Sequence, residues 1–185
     1  MKRILFLGAL CLAFCIAAFA QAKTADYSGT WTLDVSKSKL DERARIESMT
    51  MTVTQTAKDI KIDSKTTRAP RPDGAAGGTG GGGGFGRGGG FGSGDSSTTY
   101  TLDGKETKIE QESAMGKVPV TLTAKVEGGV LNLASARTFN GPNGVVTAAT
   151  KETWTLSADA KTLTVVRENQ TPRGSFSSTL VFAKK

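Results

Sequence analysis

The sequence predicts an all-β fold, an up-and-down antiparallel β-barrel of about eight to ten strands. Three observations carry that prediction. From Gly29 onward apolar residues alternate with Thr, Ser or charged residues at a period of two, the spacing of strands that bury one face. Hairpin dipeptides such as Asp103-Gly104 and Gly128-Gly129 stand between the alternating runs. Helical signal is confined to one short stretch, Ser38 to Ala44, where Ser38 would cap and Asp41 sits three residues on.

The elements follow in order. Trp31, Leu33 and Val35 face inward on the first strand, with Thr30, Thr32 and Asp34 outward. Met49, Met51 and Val53 form the buried side of the next, and Ile60 and Ile62 continue the pattern after a turn near 57–59. Tyr100 and Leu102 come next, then Ile109 beyond the Asp-Gly turn, then Val118, Val120, Leu122, Ala124 and Val126. Leu131, Leu133 and Phe139 mark the following strand, and Gly141-Pro142-Asn143-Gly144 turns the chain into a long one bearing Val146, Ala148, Trp154 and Leu156. Leu163 and Val165, then Phe176, Leu180 and Phe182, complete the meander. Open edges invite aggregation and strong twist favours closure, so a meander of this length is expected to curl into a barrel.

Residues 75–94 are almost entirely glycine, broken by Thr79, Phe85, Arg87, Phe91 and Ser93. Such a stretch cannot bury enough surface to offset its ordering entropy. A disordered insertion over 69–95 is expected inside one domain spanning 28–185, because each doubling of loop length costs only about 0.6 kcal/mol. Phe85, Arg87 and Phe91 are the residues through which it would act as a flap over a barrel mouth; an inert spacer is the competing reading. The segment also resembles Arg-Gly-Gly nucleic-acid binders, but one arginine supplies too little charge for phosphate affinity. No nucleic-acid partner is expected.

Lys2 and Arg3, an apolar run from Ile4 to Phe19 and small residues at Ala18 and Ala20 read as a cleaved signal peptide over 1–20, followed by a flexible N-terminus over 21–27. Ala20 and Ala22 offer a second cleavage point before Lys23, and an uncleaved anchor is the competing reading. The expected location is periplasmic or secreted. Both cysteines, Cys11 and Cys15, fall in this segment, and the chain has no histidine. Cys/His nucleophiles, Ser-His-Asp triads, ordinary zinc sites and disulfides are thereby excluded from the mature part. No cofactor, metal or enzymatic activity is expected. The formal net charge is +7, with two of those charges on Lys2 and Arg3 and the rest scattered, which suits solubility and a monomer.

Gly29-Thr30-Trp31 on the first strand, followed by a short helical turn and a meander, resembles the calycin superfamily, the lipocalins and fatty-acid-binding proteins. It is similar too to bacterial secreted proteins with the same N-terminal Gly-x-Trp strand. The calycin resemblance implies that Gly29 and Trp31 are structural, closing one barrel end, and that the barrel holds a small apolar ligand. Lipocalins set an arginine across that tryptophan from near the final strand; Ser175 to Ala183 contains none, and Arg173 is the nearest. The two helices and the Arg-x-Tyr pair of fatty-acid-binding proteins are also missing.

Strand register gives the most specific internal signal. If Leu156 pairs with Leu163 across the turn between them, Trp154 falls opposite Val165 and Glu152 opposite Arg167, all on the apolar face. Arg137 shares parity with Leu131, Leu133 and Phe139. A carboxylate facing guanidinium groups could anchor an anionic head; the alternatives are that these residues satisfy each other, or that they sit at a solvated rim where strands protrude. Tyr100 and Gln111 join Arg137, Glu152 and Arg167 as the candidate ligand-binding set. Gln55, Ser64 and Ser135 also fall on inward parity, so a partly polar interior is expected. Glu110 and Glu112, opposite in parity to Ile109, read as a solvated face.

Two functions follow. One is an exported, non-enzymatic barrel binding a small apolar or amphipathic ligand. The other is an envelope protein with a filled barrel whose outer faces meet other proteins or glycans.

Overall fold

The computed structural model describes residues 25–41, 44–70, 95–113, 116–141, 144–172 and 174–185. Ten strands run in one antiparallel sheet: β1 (Gly29–Leu33), β2 (Ile46–Gln55), β3 (Asp59–Arg68), β4 (Ser96–Thr101), β5 (Thr107–Ser113), β6 (Gly116–Glu127), β7 (Val130–Gly141), β8 (Gly144–Leu156), β9 (Thr162–Thr171) and β10 (Gly174–Lys184). Their order is β4-β3-β2-β1-β10-β9-β8-β7-β6-β5, so each strand pairs with its chain neighbours and β1 joins β10. This is the all-β, up-and-down antiparallel barrel that the alternation predicted. Closure is nearly complete. β4 and β5 form a seam without a ladder between them, yet the Gly104 N–H beyond β4 donates to the Ala124 carbonyl of β6 at 3.0 Å, bypassing β5.

An up-and-down meander sends alternate connections to opposite ends. Connections 56–58, 102–106, 128–129 and 157–161 lie at one end, and the strand ends at Leu33, Ile46, Arg68, Ser96, Gly141 and Gly144 lie at the other. The first end is sealed by aromatic side chains. Trp31, Tyr27 and Trp154 are fully buried there, with Tyr27 and Trp154 edge to face at 6.0 Å between ring centres. The Tyr27 hydroxyl lies 2.8 Å from the Gly129 carbonyl and 3.0 Å from that of Trp154, and it accepts the Leu131 N–H at 3.0 Å. The Trp31 indole N–H donates to the Tyr27 carbonyl at 2.9 Å.

Three expectations need correction. Tyr27 does not belong to a flexible N-terminus: its N–H donates to the Gln55 Oε1 at 2.9 Å, and Gln55 Nε2 donates to the Ala25 carbonyl at 3.0 Å. Burying an aromatic ring and satisfying its hydroxyl outweighs the entropy of ordering the segment. Ser38 does not cap the expected helical stretch: one short helical turn lies ahead of it at Val35–Lys37, capped by Asp34, while inside the stretch the Ala44 N–H closes a helical turn on the Asp41 carbonyl at 2.8 Å. Ser38 and Lys39 are drawn away by β10: the Val181 N–H donates to the Ser38 Oγ at 2.9 Å, and Lys39 and Thr179 exchange backbone bonds of 2.7 and 2.9 Å. Finally, Ile109 has inward parity but remains 36% exposed, because β5 is a seam strand with a neighbour on one side only. The flap residues Phe85, Arg87 and Phe91, together with Arg173, lie outside the described residues.

Candidate functional site

The barrel interior is partly polar: beside its apolar positions it carries Glu152 on β8, Arg167 on β9, Arg137 on β7, Gln111 on β5 and Tyr100 on β4. Register explains the first pair. Leu156 pairs with Leu163, Trp154 with Val165 and Glu152 with Arg167, as the parity of the hairpin predicted.

The pair is buried, Glu152 to 3% and Arg167 to 6% exposure. Arg167 Nε lies 2.6 Å from Glu152 Oε1, and the Trp154 indole N–H donates to Glu152 Oε2 at 2.8 Å. Both carboxylate oxygens therefore have a donor. A buried carboxylate needs that: desolvating a charge costs several kcal/mol unless its lone pairs are met.

Arg137 is different. Its strand pairs it with Val120 on one side and Ala148 on the other, neither of which can accept a hydrogen bond through its side chain. Among the described residues it makes no ion pair and no hydrogen bond from its side chain. Burial pushes its guanidinium below the usual range, with Tyr100 acting in the opposite sense. Burial likewise pushes the Tyr100 phenol well up, with the Glu152 carboxylate adding to the rise and Arg167 and Arg137 opposing it. Tyr100 thus feels all three charges, which makes the four residues one electrostatic cluster.

A small cavity adjoins the cluster, lined by Tyr100, Gln111, Val120, Leu122, Ser135 and Glu152 among others. It holds about 10 Å³, room for one water. On β3 the buried Ser64 shares a hydrogen bond of 2.8 Å with Ser96 of β4. Of the candidate ligand-binding set, Tyr100, Gln111 and Glu152 line this cavity and Arg167 bonds to Glu152, whereas Arg137 on β7 is not among the lining residues. Gly29 and Trp31 sit apart, at the sealed end.

Sequence reasoning looked for an arginine across Trp31 and missed the residue that takes its place. Lys184 pairs with Trp31 in register, and its ammonium lies 5.2 Å from the indole centre. The signal was present in the chain, a cation at the end of the final strand, but the expected strand stopped one residue short of it. Tyr27 was missed as well, because a lone aromatic ahead of the first strand has no periodic partner. On the outside of the barrel, an open trough of about 340 Å³ runs over β6 to β9, lined by Lys125, Glu127, Asn132, Lys151, Thr153 and Glu168 among others.

No protein-family model matches the chain, and no curated protein matches it. Among solved structures it is similar to zebrafish ileal bile acid-binding protein, crystallised with cholic acid, at 13% identity over 86% of this chain and 98% of that one, with a TM-score of 0.47. It is also similar to the fatty-acid-binding protein isolated from Manduca sexta, at 11% identity over 85% of this chain and 99% of that one, with a TM-score of 0.44.

Proposed function

We propose that this protein is an exported, non-enzymatic carrier that takes a small amphipathic molecule into the partly polar interior of its barrel, with an acidic head on Arg137. One observation carries the reading: Arg137 is a half-buried guanidinium without a side-chain partner among the described residues, while the Glu152 carboxylate, four residues along the ladder, is held by Arg167 and Trp154. Burying an uncompensated cation is costly, and an incoming carboxylate or sulfonate would relieve that cost through a charge-assisted fork. Tyr100 and Gln111 would meet the head from the seam, while apolar residues such as Leu122 and Leu133 would meet the tail. The resemblance to lipocalins and fatty-acid-binding proteins supports the reading from the side of sequence.

With an enclosed space of about 10 Å³, any occupant must displace side chains. The seam between β4 and β5 is where the barrel widens at least cost, since no ladder bonds have to break there. The N-terminal segment 1–20 supports export to the periplasm or beyond. No nucleic acid belongs to this reading, and the carrier acts as a monomer.

Native mass spectrometry of protein purified from an exporting host tests it, together with titration of the fluorescent amphipath anilinonaphthalene sulfonate. An added mass that leaves on denaturation is expected, and Arg137→Ala should weaken the probe at least tenfold. A clean apo mass with probe binding that ignores the substitution would sink the carrier. The tight interior and the outer trough would then favour the second reading, a filled barrel that acts through its outer faces on envelope proteins or glycans.

A further inference from the structure

The end of the barrel opposite Trp31 carries a second concentration of unbalanced positive charge, separate from Arg137. β2 begins there with Ile46 opposite Arg68, and the register slips between Ile46 and Ser48, a bulge that re-aims the strand entry. Arg45, immediately before it, has a φ of +46°, a left-handed conformation that residues with a side chain seldom adopt. Two bonds hold it in place. The Ala69 N–H donates to the Arg45 carbonyl at 2.9 Å, and Arg45 Nη1 donates to the Pro70 carbonyl at 2.8 Å.

That anchoring sets Arg45 beside Arg68. Among the described residues neither has a carboxylate in ion-pair reach. Partial burial, and then the charge of Arg45, push the Arg68 guanidinium below its usual range, as expected where like charges adjoin without an anion between them. Thr66 adds a third donor. It precedes Arg68 by two residues, on the same face of β3, and its hydroxyl is buried without a hydrogen-bond partner. Buried hydroxyls left unpaired are rare enough to require a reason.

We propose that Arg45, Arg68 and Thr66 form an anion site at the end of the barrel opposite Trp31, taking a phosphate group presented by a lipid headgroup or by a free phosphate compound. Arg45 has donors left after its bond to Pro70, and Arg68 offers a planar fork that matches a tetrahedral oxyanion. The site stands independently of the interior carrier reading, since it uses neither Arg137 nor the cavity.

The test is titration with inorganic phosphate at constant ionic strength, followed through the backbone amide signals of Ile46 and Ala69. Saturable shifts are expected in the unaltered protein and, within twofold, in Lys65→Gln, which removes a charge from an exposed position of the same strand. Arg68→Gln should weaken phosphate at least tenfold with its melting temperature unchanged. Arg45→Asn, which suits the left-handed backbone, should do the same and guards against a folding defect in either variant alone. Linear shifts, or equal affinity in all four proteins, would show ordinary screening of surface charge and overturn the site. Vesicles of phosphatidylcholine, with and without phosphatidic acid, then assign the source. Retention that needs phosphatidic acid and is lost in Arg68→Gln points to a headgroup, and saturable phosphate binding without retention points to a free ligand.

Discussion

Glu152 and Arg167 are the residues whose loss is most readily predicted, because their charges are shut from water and satisfied locally. Removing one leaves the other stranded. Arg167→Ala is expected to cost about 3 to 5 kcal/mol in denaturant unfolding, whereas replacing both residues by apolar side chains of similar volume should cost far less. A single-substitution loss below about 1 kcal/mol would mean that water reaches the pair. Their pairing was legible in the chain because parity and turn length together fix the register of a local hairpin. The freedom of Arg137 was not, since whether a charge finds a partner depends on strands distant in sequence. Parity placed Arg137 and Arg167 on the same footing as anchors for an acid; the geometry occupies one and leaves the other.

At the level of elements, β1 is the short strand on which closure depends, because its five residues join β2 to β10. Its first residue, Gly29, has a φ of +136°, and a Cβ placed there would come within 2.7 Å of Lys184 Cε. The lysine tip can swing aside, so the backbone sets most of the penalty. Gly29→Ala should therefore destabilise by about 1 to 3 kcal/mol. Lys184→Ala, which removes only the cation over Trp31, should cost about 0.5 to 1 kcal/mol. If thermal melts rank the two variants in the reverse order, the indole contact and not the strained entry holds β1. Alternation made all ten strands readable, but the helical stretch was read only in part: the turn that Ala44 closes on Asp41 falls inside it, whereas its expected cap and the turn at Val35–Lys37 did not follow from the pattern. A capping-box pattern is a local signal, and Ser38 and Lys39 bond instead to Val181 and Thr179 of β10, well over a hundred residues away in the chain. Local patterns lose where a long-range ladder offers the same atoms better partners.

The whole molecule carries two reporters of its integrity, since it has only two tyrosines and both are buried. Tyr27 belongs to the sealed end and Tyr100 to the polar cluster near the seam. Burial is the largest cause raising both phenols above the ordinary value of about 10, partly offset at Tyr27 by the bond from Leu131. A raised phenol means that the fold favours the protonated form. The stability this contributes is fully present below about pH 10 and is lost as the pH climbs through the folded values. Phenolate absorbance should therefore stay flat beyond pH 10 and then rise together with the loss of the far-ultraviolet β signal, in one cooperative transition. Tyr27→Phe and Tyr100→Phe divide the signal between the two ends. In each variant the remaining tyrosine should still ionise only as the barrel unfolds. A phenolate signal that preceded unfolding in Tyr27→Phe would come from Tyr100 and show that the seam opens to solvent while the rest of the barrel stands. Early ionisation in Tyr100→Phe would contradict the aromatic seal, because Tyr27 cannot lose its proton without giving up its donation to the Gly129 and Trp154 carbonyls.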